Sequence, residues 1–504
     1  MKKYSIKKIF IFVFIVTIVT ASITYLYPKI NGLILVIRSH SYVYSYKPSE
    51  KIVAKDVSSL EEALSVPFLM YHGIVVQSAL GENTDRKTFI SQMEMLKREG
   101  YQTISVKEYD LWREGKFTLP PKPIVITFDD GRKDSYFTTD EVFRKLGFKA
   151  TIFIATNSTV NDSFFLNWHT LKKMQSSGRW EIEAHGRDSH KKIVLDDKGN
   201  TGNYLASRIY SPEKGLESIS DYEQRISREY ANGKSDLLKN LGIDAVYFAI
   251  PLNSYGTNTT DLSNYSGAFS YNDILTRQYY KLAFIQAQSD ENDVYESFYN
   301  YKDSNPYKIK RLQVKNMSPE KLLTALETFS EKPMSLAYPN NNDKNFIRNN
   351  FHTLYGNVKY DNVIKLTSDK TNESTRFVLG SPIWKNYMVK AEATKEKGKS
   401  FSVLVYYKDE DNYINLDWAE KSLKLTRVIN GESKEIDSYY PFQENGKIYI
   451  SFKLQNGFVS VYCNGILLKG FIHDKAQGGL VGFGVWDTDE AISTINKIEV
   501  TELK

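Results

Sequence analysis

The chain has 504 residues, a mass of 58.0 kDa and a formal net charge of +6, with 41% hydrophobic and 25% charged residues. Its length exceeds that of one ordinary domain, and so small a net charge gives no argument for nucleic-acid binding. A single cysteine, Cys463, excludes an internal disulfide and any zinc site built from cysteines.

The N-terminus predicts export from the cytoplasm. An apolar stretch over residues 9–27 follows four lysines, Lys2, Lys3, Lys7 and Lys8. Its length is close to the roughly 20 residues that span a bilayer, and the lysines favour the cytoplasmic side. Thr20-Ala21-Ser22 is a poor cleavage site, which favours an uncleaved anchor over a signal peptide. We therefore expect residues 1–45 to form a membrane segment and stalk, with the rest of the chain outside the membrane, or secreted if the segment is cleaved.

Residues 46–335 predict an α/β domain. From Val66 to about Val314, short apolar runs alternate with amphipathic segments that end at glycines, which is typical of βα units. Helices are expected over residues 134–146, 168–177 and 220–241, among others. The seven or eight strand candidates are enough for an irregular (β/α) barrel.

Residues 345–504 predict an all-β sandwich. Apolar and polar residues alternate there with period two, and Asn-Gly turns recur at residues 430–431, 456–457 and 464–465. The pattern resembles jelly-roll sandwiches of the laminin-G or concanavalin type. Glycan binding is the leading hypothesis for this domain, and a rigid spacer is the alternative. The candidate sugar-stacking residues are Tyr406, Tyr407, Tyr413, Trp418 and Trp486.

Three predicted strands of the first domain end in residues that can bind a metal. His72 follows the first strand, Asp129-Asp130 follows the second, and His185 follows the third, with His190 in the loop after it. In a parallel α/β domain the carboxyl ends of the strands lie on one rim, so we expect these side chains to converge. Three of the seven histidines of the chain occur in these motifs.

Each motif has a simpler interpretation when it is taken alone. Asp-Gly is a common turn, His190 could be a surface residue beside two lysines, and His72 could be an ordinary buried histidine. A fourth strand ends in a Pro251 loop whose backbone N–H groups could stabilise an oxyanion, although the loop alone indicates only a turn. Only the combination of motifs is specific.

Together these residues resemble the polysaccharide deacetylases, carbohydrate esterase family four. The resemblance rests on Thr127-Phe128-Asp129-Asp130-Gly131, the paired histidines and the Pro251 loop. Most family members carry the acid histidine late in the domain and space the metal histidines four apart. Here that histidine comes first and the spacing is five, which resembles the circularly permuted branch that deacetylates poly-β-1,6-N-acetylglucosamine.

The resemblance implies a role for each residue. Asp129 would be the base and His72 the acid. Asp130, His185 and His190 would hold one divalent metal ion, with zinc favoured over cobalt, nickel or iron. The backbone N–H of Leu252 would be the oxyanion donor. This last assignment is weaker, because the family usually has Tyr-Gly after that proline and this chain has Leu252-Asn253.

The expected activity is metal-dependent N-deacetylation of an extracellular polysaccharide, with poly-N-acetylglucosamine favoured and peptidoglycan or chitin-type polymers as alternatives. Three other functional classes compete with this activity. A non-haem iron oxygenase would leave Asp129 without a role, and adjacent carboxylates cannot straddle a sugar ring as a glycosidase requires. A non-catalytic wall-binding protein would not need all five polar residues. The expected partners are the polysaccharide and, through residues 9–27, the membrane. No nucleic acid is expected, and protein partners are not indicated.

Overall fold

The computed structural model describes residues 46–48, 50–60, 62–76, 81–161, 164–254, 256, 263–287, 297–330, 335–339, 350–429, 431–442, 446–473 and 478–503. The chain divides into two compact units. The first is the chain up to Gln286 together with Asn300–Pro319, and the second is Ala287–Tyr299 with Glu320–Lys504. The predicted membrane segment at residues 9–27 lies outside the described residues. Within them, no helix is both long and apolar enough to cross a membrane.

Seven parallel strands close into a barrel in the first unit. Each pairs with the next along the chain, and β1 pairs with both β2 and β7 to complete the ring. The predicted (β/α) barrel is thus confirmed. The strands are β1 (Ser65–Tyr71), β2 (Pro123–Phe128), β3 (Ala150–Ile154), β4 (Trp180–Ala184), β5 (Tyr247–Ala249), β6 (Leu282–Gln286) and β7 (Ile309–Gln313).

Helices follow most of these strands, and several have clear sequence signals at their ends. Ser105 and Glu108 form a capping box at the start of α2, and Gly242 ends α7 in the left-handed conformation. The helices are α1 (Arg86–Arg98), α2 (Val106–Arg113), α3 (Lys133–Tyr136), α4 (Asp140–Leu146), α5 (Thr156–Asn161), α6 (Trp168–Ser176), α7 (Ile219–Leu241), α8 (Ala268–Tyr279) and α9 (Pro319–Thr328).

The helix predicted over residues 134–146 is two helices, α3 and α4. Thr138 and Thr139 interrupt it, and their hydroxyls donate to the carbonyls of Asp134 and Ser135. Side chains that bond to nearby carbonyls compete with a regular helix, which explains the break. Short strands outside the barrel are Ile74–Val75, Thr84–Asp85, Gln102–Thr103, Lys192–Val194, Thr201–Asn203, Tyr210–Ser211, Gly215–Leu216 and Tyr299–Tyr301.

The barrel interior is apolar at one end. Phe68, Phe153, Phe284 and Ile309 come from different strands and share one buried cluster with side chains of α2. Alternation along each strand places every second residue inside. Glu181 of β4 anchors α2 there, because its carboxylate accepts hydrogen bonds from the backbone N–H groups of residues 106 and 107. Burial raises the pKa of Glu181 above its ordinary value.

An aromatic cluster joins the outside of the barrel to the helices. Phe89 of α1 and Phe143 of α4 are 5.8 Å apart between ring centroids, and Phe128 lies 6.2 Å from Phe89 and 5.4 Å from Trp180. All four side chains are buried. Since Phe128 is the last residue of β2, this cluster also fixes the strand end that precedes Asp129.

The second unit contains two antiparallel sheets around one core, as the period-two pattern predicts. Within the described residues the first sheet runs β10-β11-β22-β13-β18-β19-β20, with β8 also pairing with β22, and the second runs β9-β12-β21-β14-β15-β16-β17. The strands are β8 (Leu336–Tyr338), β9 (Phe351–Tyr355), β10 (Asn357–Tyr360), β11 (Ile364–Ser368), β12 (Ser374–Leu379), β13 (Tyr387–Lys397), β14 (Ser400–Asp409), β15 (Asn412–Trp418), β16 (Leu423–Ile429), β17 (Glu432–Tyr439), β18 (Lys447–Gln455), β19 (Phe458–Cys463), β20 (Ile466–Ile472), β21 (Leu480–Trp486) and β22 (Ala491–Glu502).

The structure corrects three of the predicted sugar-stacking residues. Tyr406 and Trp418 are buried and belong to the core between the sheets, and Tyr407 is completely buried as well, so none of these three rings is available to a ligand. Tyr406 lies at an irregularity in β14 with a φ of 51°, which breaks the alternation of the strand, and both Tyr406 and Tyr407 are buried. Tyr413 is half-buried and Trp486 is exposed.

We expect Phe89→Ala to destabilise the first unit by about 3–5 kcal/mol, the usual cost of removing a buried phenylalanine from a packed core. Hydrogen exchange of the barrel strands measures the loss in this unit separately from the second. Lys87→Ala, on the exposed face of the same helix, is the matched control. A loss below 1 kcal/mol would show that the aromatic cluster does not hold α1 to the barrel.

Candidate active site

The register of the barrel brings the predicted residues to one rim. Tyr71 at the end of β1 pairs with Phe128 at the end of β2, so His72 and Asp129 leave the sheet side by side. The backbone N–H of Asp129 also donates to the carbonyl of Tyr71, at 3.0 Å. His185 leaves β4 next to the end of β3, because its backbone N–H donates to the Ile154 carbonyl at 2.9 Å.

Asp129 is held from inside the barrel by Arg311 of β7. The two guanidinium nitrogens lie 2.6 and 2.8 Å from the two carboxylate oxygens, and both side chains are almost completely buried. Burial would raise the pKa of Asp129, but Arg311 and His185 outweigh it and hold that pKa below its ordinary value. Asp129 is therefore ionised at neutral pH.

The Asp130 carboxylate contacts two histidines, whereas the Asp129 carboxylate pairs with Arg311. The φ of Asp130, 73°, lies in the left-handed region, where Asp is tolerated, and it turns the side chain out to the rim. One carboxylate oxygen is 3.2 Å from Nε2 of His190 and 3.6 Å from Nε2 of His185. Burial would raise the pKa of Asp130, but these two histidines hold it well below its ordinary value.

Asp130, His185 and His190 form a candidate metal centre. One ligand atom from each lies within 4.8 Å of those of the other two. Nδ1 of His185 is 2.7 Å from the Ala249 carbonyl, so the proton belongs on Nδ1 and the Nε2 lone pair faces the other two residues. One carboxylate and two imidazoles match the donor set of a catalytic divalent metal site.

Glu229 of α7 organises the loop between the two histidines. Its carboxylate accepts hydrogen bonds from the backbone N–H groups of Arg187 (2.6 Å) and Asp188 (2.8 Å), and from the Ser189 hydroxyl. Gly186 permits this close approach, since a Cβ at that position would lie 2.9 Å from the carboxylate and its φ is +74°. A buried acid thus fixes the segment that positions His190.

The remaining two predicted residues lie at the same end of the barrel. His72 is buried, and its Nε2 lies 3.4 Å from a carboxylate oxygen of Glu82. Leu252 follows the end of β5 in a single turn of 3-10 helix, Pro251–Asn253. Its φ of 57° is strained for leucine, and its side chain is exposed at the surface. The structure thus places every predicted site residue at the carboxyl end of a barrel strand or in the loop that follows it.

Arg311, Glu229 and Glu82 were not predicted from the sequence. Arg311 has one sequence signal. It lies on the same strand face as the apolar Ile309, and a buried cation requires an acidic partner. Glu229 and Glu82 left none, because one lies among many charges of a long helix and the other in a loop.

We expect Arg311→Met to destabilise the barrel by about 3–5 kcal/mol, because it leaves the Asp129 carboxylate buried without a partner. Adding Asp129→Asn should recover part of that loss, since the buried charge is then gone. Hydrogen exchange of the barrel strands in chelator-treated protein measures the stability of the wild type, of Arg311→Met and of the double variant. Equal losses in the single and double variants would contradict the pairing.

Glu229→Gln should weaken Zn²⁺ binding by about 10–100-fold, the usual effect of losing a group that orients a metal ligand. Glutamine removes the negative charge that strengthens the hydrogen bonds of the loop, and its amide nitrogen cannot accept the one that the Asp188 N–H donates to Oε2. Competition with a chelator of known affinity measures the change, and Glu223→Gln on the same helix is the control. Unchanged affinity would show that the loop holds its shape without this carboxylate.

The chain has relatives of known family. Residues 116–268 match the polysaccharide deacetylase family. The putative polysaccharide deacetylase YxkH of Bacillus subtilis is 35% identical over 128 residues, which is 25% of this chain and 44% of that protein. The poly-beta-1,6-N-acetyl-D-glucosamine N-deacetylase of Staphylococcus epidermidis is 27% identical over 195 residues, 36% of this chain and 65% of that protein.

These matches span less than two thirds of the length of either relative. Among solved structures, a de-N-acetylase from Aggregatibacter actinomycetemcomitans aligns with 50% of this chain and 96% of its own, at 17% identity and a TM-score of 0.43. The matched residues 116–268 include Asp129, Asp130 and both histidines of the candidate metal centre. The family resemblance seen in the sequence is confirmed for residues 116–268, which match the polysaccharide deacetylase family.

Proposed function

We propose that the protein is a metal-dependent deacetylase that removes N-acetyl groups from an extracellular polysaccharide of N-acetylglucosamine and releases acetate. One observation carries the proposal. The candidate metal centre lies beside Asp129, whose carboxylate is 3.8 Å from Nε2 of the ligand His185. A base within reach of a metal site is the arrangement that hydrolysis of an amide needs.

Asp129 acts as the base that takes a proton from the attacking water. Arg311 engages both carboxylate oxygens and keeps the group ionised. A low pKa makes Asp129 a weak base, so the water must be made more acidic than it is in bulk. Asp130, His185 and His190 would hold a divalent ion, which would supply this by lowering the pKa of bound water and polarising the acetyl carbonyl.

His72 acts as the acid that protonates the departing sugar amine. It lies at the rim next to Asp129, and its Nε2 contacts the Glu82 carboxylate. The Ser135 hydroxyl donates to the His72 carbonyl at 2.8 Å and fixes the backbone of this residue. Acid and base then come from neighbouring strands, β1 and β2. The backbone N–H of Leu252, in the turn after β5, serves as the oxyanion donor.

We propose poly-β-1,6-N-acetylglucosamine as the preferred substrate, with peptidoglycan and chitin-type polymers as the alternatives. A relative from Staphylococcus epidermidis carries that polymer in its name. The lysines and apolar stretch at residues 2–27 support a position outside the membrane, anchored by the N-terminus. Zinc is the favoured ion because a site of two imidazoles and one carboxylate suits it.

A non-catalytic wall-binding protein is the second candidate of another class. It does not need an ionised carboxylate buried beside a metal site, and such a group is costly to keep without its Arg311 partner. The retained pair therefore favours an enzyme. A glycosidase is disfavoured because Asp129 and Asp130 are adjacent, whereas its two carboxyl groups flank a sugar ring about 5–9.5 Å apart.

The test is acetate release by residues 46–504 from poly-β-1,6-N-acetylglucosamine, peptidoglycan and chitin, with and without chelator. Asp129→Asn should keep the metal while activity falls by roughly 10²–10⁴, the range for general acid–base catalysis. His185→Ala should lose metal and activity together, and His169→Ala, an exposed histidine of the same unit, should lose neither.

Two results would contradict the proposal. One is a purified, active wild type that metal analysis shows to be free of metal. The other is activity close to wild type in Asp129→Asn. Release of acetate from peptidoglycan or chitin alone would retain the deacetylase and replace the preferred polymer.

A further inference from the structure

The outer face of the second sheet of the second unit carries a row of small and polar residues. Arg376 of β12 pairs with Gly484 of β21, which pairs with Ser402 of β14, which pairs in turn with Asp417 of β15. Their neighbours along the strands, such as Phe377, point into the core between the sheets. Side chains alternate along a strand, so this row faces away from the core.

Arg376 is the centre of an aromatic and acidic cluster on this face. Its guanidinium carbon lies 5.5 Å from the ring of Tyr355, 5.9 Å from Tyr413 and 6.0 Å from Tyr407. Nη1 donates to the Glu410 carboxylate, which also accepts a hydrogen bond from the Tyr407 hydroxyl at 3.0 Å. The Arg376 side chain is 16% exposed and that of Glu410 is 38% exposed.

Several polar groups of this cluster have no partner within the described part of the chain. Glu410 is the hydrogen-bond partner of Arg376, and it leaves other guanidinium donors unused. Nε of Arg376 and Oδ1 of Asn415, on the neighbouring strand β15, are buried without a hydrogen bond.

We infer that this face, the Arg376 cleft lined by Tyr355, Arg376, Glu410 and Tyr413 with the buried Tyr407 beneath them, binds a neutral pyranose unit of a glycan. An arginine paired with a carboxylate presents donors and acceptors side by side, which matches the vicinal hydroxyls of a sugar. Aromatic rings beside them supply the apolar surface on which a sugar ring packs.

The charge of the cleft decides which glycan chemistry it fits. The Glu410 carboxylate neutralises the charge of the Arg376 guanidinium, so a carboxylate or phosphate on the ligand gains little binding energy from the guanidinium. A free glucosamine would bring an ammonium group close to Arg376. The cleft therefore favours uncharged sugar units, such as N-acetylated ones, over deacetylated or acidic ones. Binding there does not depend on the proposed deacetylase activity.

The test uses residues 46–504 with Asp129→Asn, so that no ligand is turned over. Calorimetric titrations use the hexasaccharides of β-1,6- and β-1,4-linked N-acetylglucosamine, the glucosamine hexasaccharide and cellohexaose. We expect a binding event with at least one neutral hexasaccharide that weakens at least about tenfold in Arg376→Met and in Tyr413→Ala. Tyr449→Ala, an exposed tyrosine of the other sheet, is the control.

Thermal denaturation separates binding from a structural ion pair. If Arg376→Met lowers the melting temperature, Tyr413→Ala, which removes the half-buried ring on which the sugar packs, decides the question. Weaker binding in Tyr413→Ala with unchanged melting supports the cleft. No binding of any neutral hexasaccharide by the parent protein, or equal binding by parent and cleft variants, overturns the inference.

Acetate release from a short oligomer separates this inference from the proposed function. Cleft variants made in the wild-type background should release acetate at the wild-type rate, because the catalytic rim belongs to the other unit. A wild type without deacetylase activity whose sugar binding depends on Arg376 would refute the proposed function and retain the cleft.

Discussion

The ion pair between Asp129 and Arg311 is the interaction on which the site depends. Two opposite charges are taken out of water inside a barrel, and neither would be stable there without the other. The closed ring of seven strands makes the pairing possible, because it places the last strand beside the first and directs Arg311 towards the end of β2. Thr127, whose hydroxyl lies 3.1 Å from the Arg311 guanidinium, adds a second contact. The base of the proposed reaction is thus held by the architecture of the barrel.

The metal ligands depend on a different kind of support. His185 is fixed by its strand and by the Ala249 carbonyl, whereas His190 lies in a loop with no sheet partner of its own. A single carboxylate, Glu229, replaces that missing partner by accepting hydrogen bonds from consecutive backbone N–H groups. A loop that carries a ligand must be as rigid as the strand that carries the other, or the ligand atoms would not stay within reach of one ion.

The two units carry groups suited to different tasks, catalysis and binding, on one proposed polysaccharide substrate. The barrel rim carries the groups that can cleave an amide, and the Arg376 cleft carries groups suited to an uncharged sugar. A second binding site on the same chain raises the local concentration of polymer at the first without any new catalytic contact. Preference of the cleft for acetylated units would favour the regions of a polymer that still contain substrate.

The sequence alone determined the barrel, the all-β unit and the rim residues, because each rests on a local pattern. Strand periodicity, glycine stops and the order of His72, Asp129, Asp130 and His185 are all readable within a few residues. The break between α3 and α4 and the burial of both Tyr406 and Tyr407 were not predicted, because threonine back-bonding and a strand irregularity override periodicity. Arg311 and Glu229 were decided by tertiary structure alone. They lie 182 residues from Asp129 and 41 residues from Asp188, and only barrel closure and helix packing bring such distant charges together.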